Sequence, residues 1–236
     1  MPTGLVEIGK KNNIKFKGYV TAPANGVFPG ILLLHQEFGI DPSIRFVAEF
    51  LASKSYTVFV PDLFWRDMPG CELSCKNQTD INIAQELLSK YDTEQGLSDV
   101  TSCLKWLRET PQCNGLVATL GFGLGSNLSY LAGLWLDIES SVCYDFYEDS
   151  FFQQNDTYIR RPMLVHLSNK YYQELKKKNK NSLLEDENNI TLKLYDKCND
   201  NFYRMSDKNF IEEYYRMSES LTLKHIVESF KKPHNT

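Results

Sequence analysis

At 236 residues, with 42% hydrophobic and 24% charged residues, the chain is expected to fold as one domain over residues 1–236 around one large core. Its net charge of −4 argues against a nucleic-acid partner, because nucleic-acid binders present a basic face. Its apolar runs fall far short of the ~20 residues that a membrane-spanning helix needs, so no membrane partner is expected.

The first part of the chain alternates between strand and helix patterns. Period-two alternation over residues 5–8 and 14–20, around a turn-forming stretch, predicts an antiparallel hairpin. The continuous apolar runs 30–34 and 57–60 predict strands that are buried on both faces. Between these two runs, apolar residues recur at helical spacing over residues 43–55.

The same alternation continues after a Pro-, Gly- and Cys-rich loop at residues 64–78. Helices are predicted near 81–91, 96–109, 171–187 and 207–230, and strands at 141–146, 162–167 and 190–195. Strands that alternate with helices indicate an α/β fold, with a mostly parallel sheet and helices on both faces.

A glycine-rich turn joins a strand to a helix within residues 116–136. Its core, Gly121-Phe122-Gly123-Leu124-Gly125, has the shape of a nucleophile elbow, G-x-S-x-G, whose central residue is normally Ser or Cys. The central residue here is Gly123, which has no side chain and cannot attack a substrate.

The six cysteines are expected to be reduced thiols in the cytoplasm, because residues 1–4 show no charged and apolar leader pattern. Cys71 and Cys75 could form half of a metal site, but no second Cys/His pair lies at a useful spacing. We therefore expect neither a metal nor a cofactor.

Six stretches, in order along the chain, resemble the dienelactone hydrolase family of the α/β-hydrolase superfold. Residues 33–40 resemble the family's strand-end stretch L-H-E-x-F-G, residues 45–51 resemble the helix after it, and residues 56–63 resemble its G-Y-x-x-x-x-P-D-L. Asn114-Gly115, residues 121–125 and residues 162–166 also fit the pattern. The resemblance implies a three-layer α/β sandwich with an N-terminal hairpin and hydrolysis of carboxylic esters or lactones.

The resemblance also implies where the catalytic groups would stand. Family members use a Cys-His-Asp triad and a glutamate near the nucleophile. Carried over, the nucleophile falls on Gly123, the acid on Tyr171, the histidine on Asp200 and the glutamate on Gln36. All four differ from the family pattern. An aspartate carboxylate, whose ordinary pKa is ~4, is a poor base for a thiol or hydroxyl, so an inactive or altered member is predicted.

Ligand binding is nevertheless expected to survive at this place. Gly123 can keep the elbow turn, and the backbone amides of Leu124 and Glu37 would still point toward the old oxyanion position. Arg204 matches an arginine that contacts substrate carboxylate in the family, and His35 ends a strand that faces the presumed pocket. These residues predict a small anionic ligand.

Two of these residues have another interpretation. Arg204 could instead be an exposed arginine without a binding role, which is the interpretation we favour. Glu37 is one position from the expected glutamate, and a shift of one residue in a strand moves a side chain to the opposite face. Glu37 is therefore expected to be an imperfect substitute for the family's glutamate.

Two alternatives stay open, one enzymatic and one nucleotide-binding. The chain could be an active hydrolase that uses a relocated constellation, such as His35 with Cys198. Residues 121–126 could also be a dinucleotide-binding loop, with Asp145 about 20 residues on as the ribose ligand.

A third alternative is a protein-interaction module that contacts a partner through residues 171–187 or the loop 64–78. Ser126 could be a displaced nucleophile, but a residue in the first turn of a helix is expected to cap backbone amides.

Overall fold

The computed structural model describes residues 3–146, 161–178 and 189–231, and it contains one eight-stranded sheet with helices on both faces. The strands are β1 (Gly4–Lys11), β2 (Ile14–Thr21), β3 (Phe28–Leu34), β4 (Thr57–Pro61), β5 (Cys113–Phe122), β6 (Ser140–Tyr144), β7 (Met163–Ser168) and β8 (Ile190–Tyr195). The helices are α1 (Pro42–Ser53), α2 (Gln78–Lys90), α3 (Thr93–Glu109), α4 (Leu124–Trp135), α5 (Asn169–Lys177) and α6 (Glu212–Lys231). None of the helices in these ranges is long and apolar enough to cross a membrane.

The sheet order is β1-β2-β4-β3-β5-β6-β7-β8. Strand β2 runs antiparallel to β1 and β4, and the strands from β4 to β8 run parallel. This topology confirms the α/β prediction and the N-terminal hairpin. The chain leaves β3 toward β4 on one side and later enters β5 on the other side. The carboxyl ends of β3 and β5 therefore form the switch point at which open α/β sheets bind ligands.

The buried strand β3 shows why continuous apolar runs occur in this chain. Leu32 and Leu34 pack into a cluster with residues of α2, α3 and α4, on one face of the sheet. Ile31 and Leu33 pack into a second cluster with α1 and α6, on the other face. Since both faces are covered, alternate residues need not be polar.

Several element boundaries differ from the sequence prediction, most clearly those of β6, α5 and α6. Strand β6 ends at Tyr144 because Asp145 has φ 49°, outside the range of a strand. Helix α6 begins at Glu212, since the preceding residues form turns in which the N–H of Asp207 donates to the Arg204 carbonyl. Helix α5 is described only to Lys177, and the rest of the predicted helix 171–187 lies largely outside the described residues.

The flanking glycines of the elbow allow backbone segments to approach closely. A Cβ at Gly121 would lie 2.0 Å from the carbonyl oxygen of Gly125, and a Cβ at Gly125 would lie 2.1 Å from that of Leu34. Real Cβ atoms do not approach backbone this closely, so α4 could not rest on the ends of β5 and β3 with larger residues there. At Gly123 the nearest atoms to an added Cβ are 3.4 Å away, which is ordinary contact.

We therefore expect Gly125→Ala to destabilise the fold more than Gly123→Ala. The first variant forces backbone apart, whereas the second adds only the strain of a non-glycine residue at φ +52°, about 1–3 kcal/mol. Urea unfolding of both variants measures the difference. A Gly125→Ala protein as stable as the parent would contradict the packing described for the elbow.

Candidate functional site

A cleft of about 280 Å³ lies at the carboxyl ends of the strands, at the switch point between β3 and β5. Gly123 lies in its wall, together with Glu37 after β3, Asp145 after β6 and Asp200 after β8. The wall formed by α2 is largely apolar. The cleft therefore combines one apolar side with carboxyl groups from three loops.

The elbow itself is fully formed. The N–H of Gly123 donates to the Tyr144 carbonyl at 3.1 Å, and the Gly123 carbonyl accepts from Ser126 at 3.0 Å and Asn127 at 3.3 Å. Gly123 is the N-cap residue of α4 and provides no side-chain cap. The turn that would present a nucleophile is thus retained, and its tip carries only hydrogen.

Ser126 is neither a helix cap nor an accessible nucleophile. Its Oγ is buried, 2.7 Å from the Gly121 carbonyl oxygen and 2.8 Å from that of Tyr144, and it accepts from the Tyr144 N–H at 2.8 Å. The hydroxyl ties the end of β5 to the end of β6. The prediction that it caps backbone amides of α4 was wrong, because these partners lie in the sheet.

Glu37 reaches the elbow, contrary to the prediction from strand alternation. Its Oε2 lies 3.4 Å from the Cβ position of residue 123, and so does the Cβ of Gln36. Strand β3 ends at Leu34, so the two-residue repeat no longer decides which way these side chains point. Burial raises the pKa of Glu37, and the positive charge of Arg204 partly opposes the rise.

The predicted oxyanion donor of Glu37 is already engaged. The backbone N–H of Glu37 donates to its own carboxylate. A resident carboxylate therefore lies beside the N-terminal end of α4, where the sequence predicted that the amides of Glu37 and Leu124 would meet an anionic ligand.

Arg204 is buried and paired with acidic groups. Only 4% of it is exposed, so the alternative of an exposed arginine was wrong. Its guanidinium lies 3.6 Å from the carboxylate of Glu37 and 3.8 Å from that of Asp41. With its amide oxygen turned toward Arg204, Gln36 accepts from Nε and Nη2 at 3.0 Å. The guanidinium also stacks 4.1 Å from the Phe38 ring centroid. Its charge is thus balanced within the protein.

The structure separates Asp200 and Tyr171, the two remaining positions that the resemblance assigns to the triad. Asp200 lines the cleft, and its Oδ1 accepts from the Ser168 hydroxyl at 2.6 Å. The N–H of Tyr171 donates to the same Ser168 oxygen at 3.1 Å, because Ser168 caps α5. The Tyr171 side chain packs against an apolar cluster of α4, β6 and β7 and does not line the cleft.

Asp145 is a site residue that sequence reasoning considered only as a ribose ligand. It is buried, has φ 49°, and its Oδ2 accepts from the Asn201 N–H at 2.9 Å. Burial, followed by the charge of Asp200, raises the pKa of Asp145 to about 8. The sequence did contain a signal for Asp145, because this residue directly follows an apolar strand and so lies at the same sheet edge as the elbow.

The relocated constellation of His35 and Cys198 has no free base. The Nε2 of His35 accepts from the Leu63 N–H at 3.0 Å, so Nδ1 carries the proton and donates to the Gln36 carbonyl at 2.6 Å. Burial lowers the pKa of His35 to about 4. The Cys198 thiol donates to the Tyr195 carbonyl at 3.3 Å, and burial raises its pKa to about 11. The expectation that His35 faces the pocket was wrong, because both ring nitrogens bind backbone.

Asp145→Asn is expected to reduce the loss of stability at rising pH. Since the pKa of Asp145 is about 8 in the folded chain against an ordinary 3.8, the folded chain keeps a proton that the unfolded chain releases between these values. The associated stability is complete below pH 3.8 and is lost as the pH rises toward 8. Asparagine tolerates positive φ, so the backbone is preserved.

Melting temperatures of the parent and Asp145→Asn between pH 5 and pH 9 test this. The variant should gain on the parent as the pH rises, since all other titrating groups are shared. A difference that stays constant over this range would contradict the raised pKa.

Comparisons with known proteins agree with this architecture. The family profile described as "Dienelactone hydrolase family" matches residues 16–233. Carboxymethylenebutenolidase of Pseudomonas sp. strain P51 is 26% identical over 94% of both chains. Carboxymethylenebutenolidase 1 of Cupriavidus pinatubonensis is 31% identical, and that match spans 53% of each chain, about half the length of the relative.

Solved structures show the same fold at low sequence identity. A putative dienelactone hydrolase from Klebsiella pneumoniae superposes with a TM-score of 0.79 at 17% identity, over 96% of this chain and 98% of that one. A dienelactone hydrolase-like promiscuous phosphotriesterase from metagenomic libraries gives a TM-score of 0.70 at 12% identity, with the same coverage. Because the family profile covers nearly the whole sequence, the chain belongs to the dienelactone hydrolase family.

Proposed function

We propose that this family member lacks covalent ester hydrolysis and uses the cleft at the elbow as a ligand-binding site. The observation that carries the proposal is Gly123 at the tip of an intact elbow, with a hydrogen atom where the resemblance places a nucleophile. The neighbouring atoms leave room for a side chain there, since the nearest lies 3.4 Å from the place that a Cβ would occupy. The glycine is therefore not demanded by packing: it relieves the backbone strain at φ +52° and leaves the elbow without a nucleophile.

The missing base supports the same proposal. Acyl transfer through a hydroxyl or thiol needs a neighbouring group that takes its proton. No histidine lines the cleft in the described part of the chain. His35 and His166 are both buried, and the ring nitrogens of each lie within hydrogen-bond distance of protein groups. Asp200, at the position of the family's histidine, is a carboxylate.

The geometry of the cleft gives less support to an anionic ligand than to the loss of ester hydrolysis. The anionic ligand that the sequence predicts would rely on Arg204 and on the amides near Glu37. Arg204 faces the carboxylates of Glu37 and Asp41, and the Glu37 amide donates to its own side chain. An anion would have to displace the Glu37 carboxylate before it could use these donors.

Gly123→Cys alone is expected to leave the protein without useful esterase activity, because the thiol would have no imidazole to activate it. Initial rates with p-nitrophenyl acetate and with a dienelactone, at matched protein concentration, measure this. The parent protein should remain at the buffer rate. Turnover by the parent that is abolished by a substitution in the cleft would overturn the proposal.

The double variant Gly123→Cys/Asp200→His should gain activity, because it supplies both a nucleophile and a base. General-base assistance is worth about 10²–10⁴-fold, so we expect about 10²-fold over Gly123→Cys with p-nitrophenyl acetate. Asp145 bonds the backbone of Asn201 beside position 200, so it is the carboxylate placed to orient the new imidazole.

Two variants control this gain. Adding Asp145→Asn to the double variant should remove most of the gain, since the imidazole would lose its orienting charge. Gly123→Cys/Asp196→His places the same imidazole at an exposed residue of the same loop and should show no gain. An equal gain from the Asp196 variant would mean that position 200 has no special relation to the elbow.

A further inference from the structure

We propose that the cleft at the elbow binds a small organic cation, a primary ammonium group attached to an apolar or aromatic body. This inference rests on the proposed binding function and assigns the chemical class of its ligand. It concerns the carboxyl groups of Glu37, Asp145 and Asp200, which three separate loops bring into one cavity.

The charge balance of the cleft favours a cation. Three of its lining residues are acidic, and no lysine or arginine lines it among the described residues. Arg204, the nearest buried guanidinium, is packed on Phe38 and bound to Gln36, Glu37 and Asp41. Glu37 is therefore paired, whereas Asp145 and Asp200 have no ion-pair partner among the described residues, and such carboxyl groups attract a cation from solution.

The buried carboxyl group of Asp145 provides a second, independent observation. Only 4% of this residue is exposed, and it lines the cleft. Its Oδ2 accepts from Asn201, whereas its Oδ1 has no well-formed hydrogen bond among the described residues. Buried polar atoms are nearly always satisfied, so this oxygen has capacity for a partner from the cleft, and a donor there would pair with the ionised form of the carboxyl group. An ammonium group carries three N–H donors and no acceptor.

The rest of the lining suits an organic body better than a bare metal ion. Phe38, Phe146 and Tyr203 line the cleft, and aromatic faces attract ammonium groups as well as apolar carbon. Residues Ile81 and Leu88 of α2 add an aliphatic wall. No three His, Cys, Asp or Glu side chains in the described ranges are grouped to hold a metal. With about 280 Å³, the cavity admits a molecule smaller than a typical drug.

Three probes of similar size and different charge test the proposal. Phenethylamine is cationic, 2-phenylethanol is neutral and phenylacetate is anionic at pH 7. Titration calorimetry with the full chain should show phenethylamine binding at least about tenfold more tightly than either of the others, which corresponds to about 1.4 kcal/mol.

Variants then locate the site. Asp145→Asn and Asp200→Asn should each weaken phenethylamine binding about tenfold and leave 2-phenylethanol nearly unchanged. Glu228→Gln removes one charge from the exposed side of α6 and should change nothing. Circular dichroism confirms that each variant is folded, and Asp200→Asn, at a less buried position, remains informative if Asp145→Asn does not fold.

Several outcomes would overturn the inference. Tighter binding of phenylacetate would assign an anion, and tighter binding of Mg²⁺ or Ca²⁺ that requires Asp145 would assign a metal. Phenethylamine binding that survives both cleft variants, or no binding of any probe at millimolar concentration, would also reject it. These results are separate from the esterase assays, because a chain without hydrolytic activity can still fail to bind a cation.

Discussion

The contact between the start of α4 and the ends of β3 and β5 is the constraint on which the rest of the site depends. Gly125 lies so close to the Leu34 carbonyl that any side chain would separate the helix from the sheet, and Gly121 is equally restricted by Gly125. These two positions keep the geometry of the elbow. Gly123, between them, is free of this restriction, so the residue at the tip can change while the turn is kept.

The charges around the elbow also differ from those that the resemblance implies. The position that the resemblance assigns to a glutamate is Gln36, which uses its amide oxygen to bind the buried Arg204. Glu37 brings a carboxylate to within 3.4 Å of the Cβ position of residue 123 and pairs with the same guanidinium at 3.6 Å. Arg204 links the loop after β8 to the segment after β3, and removing it would leave the carboxylates of Glu37 and Asp41 without this cation.

The sequence predicted the sheet and helices well because their signals are local. The apolar run at 30–34 is buried on both faces regardless of which loops surround it. The site was harder to predict, because it depends on contacts between loops that are distant in the chain. Arg204 meets Asp41 across the sheet edge, and Glu37 lies past the end of its strand, where alternation gives no guidance. Gly123 was identified correctly as the tip of the elbow because a five-residue motif fixes it.

The environment of the Asp145 carboxyl group depends on which residue stands at position 200. With an imidazole at position 200, a carboxylate bonded to the neighbouring backbone would be a natural partner. With Asp200 there, the like charge adds to the larger effect of burial, and the pKa of this carboxyl group rises to about 8. This arrangement lowers stability at neutral pH, since burial of Asp145 beside the charge of Asp200 disfavours its ionisation. A cation in the cleft would relieve that repulsion and satisfy the orphaned oxygen. The proposed cation is therefore opposite in charge to the ligand that the sequence suggested.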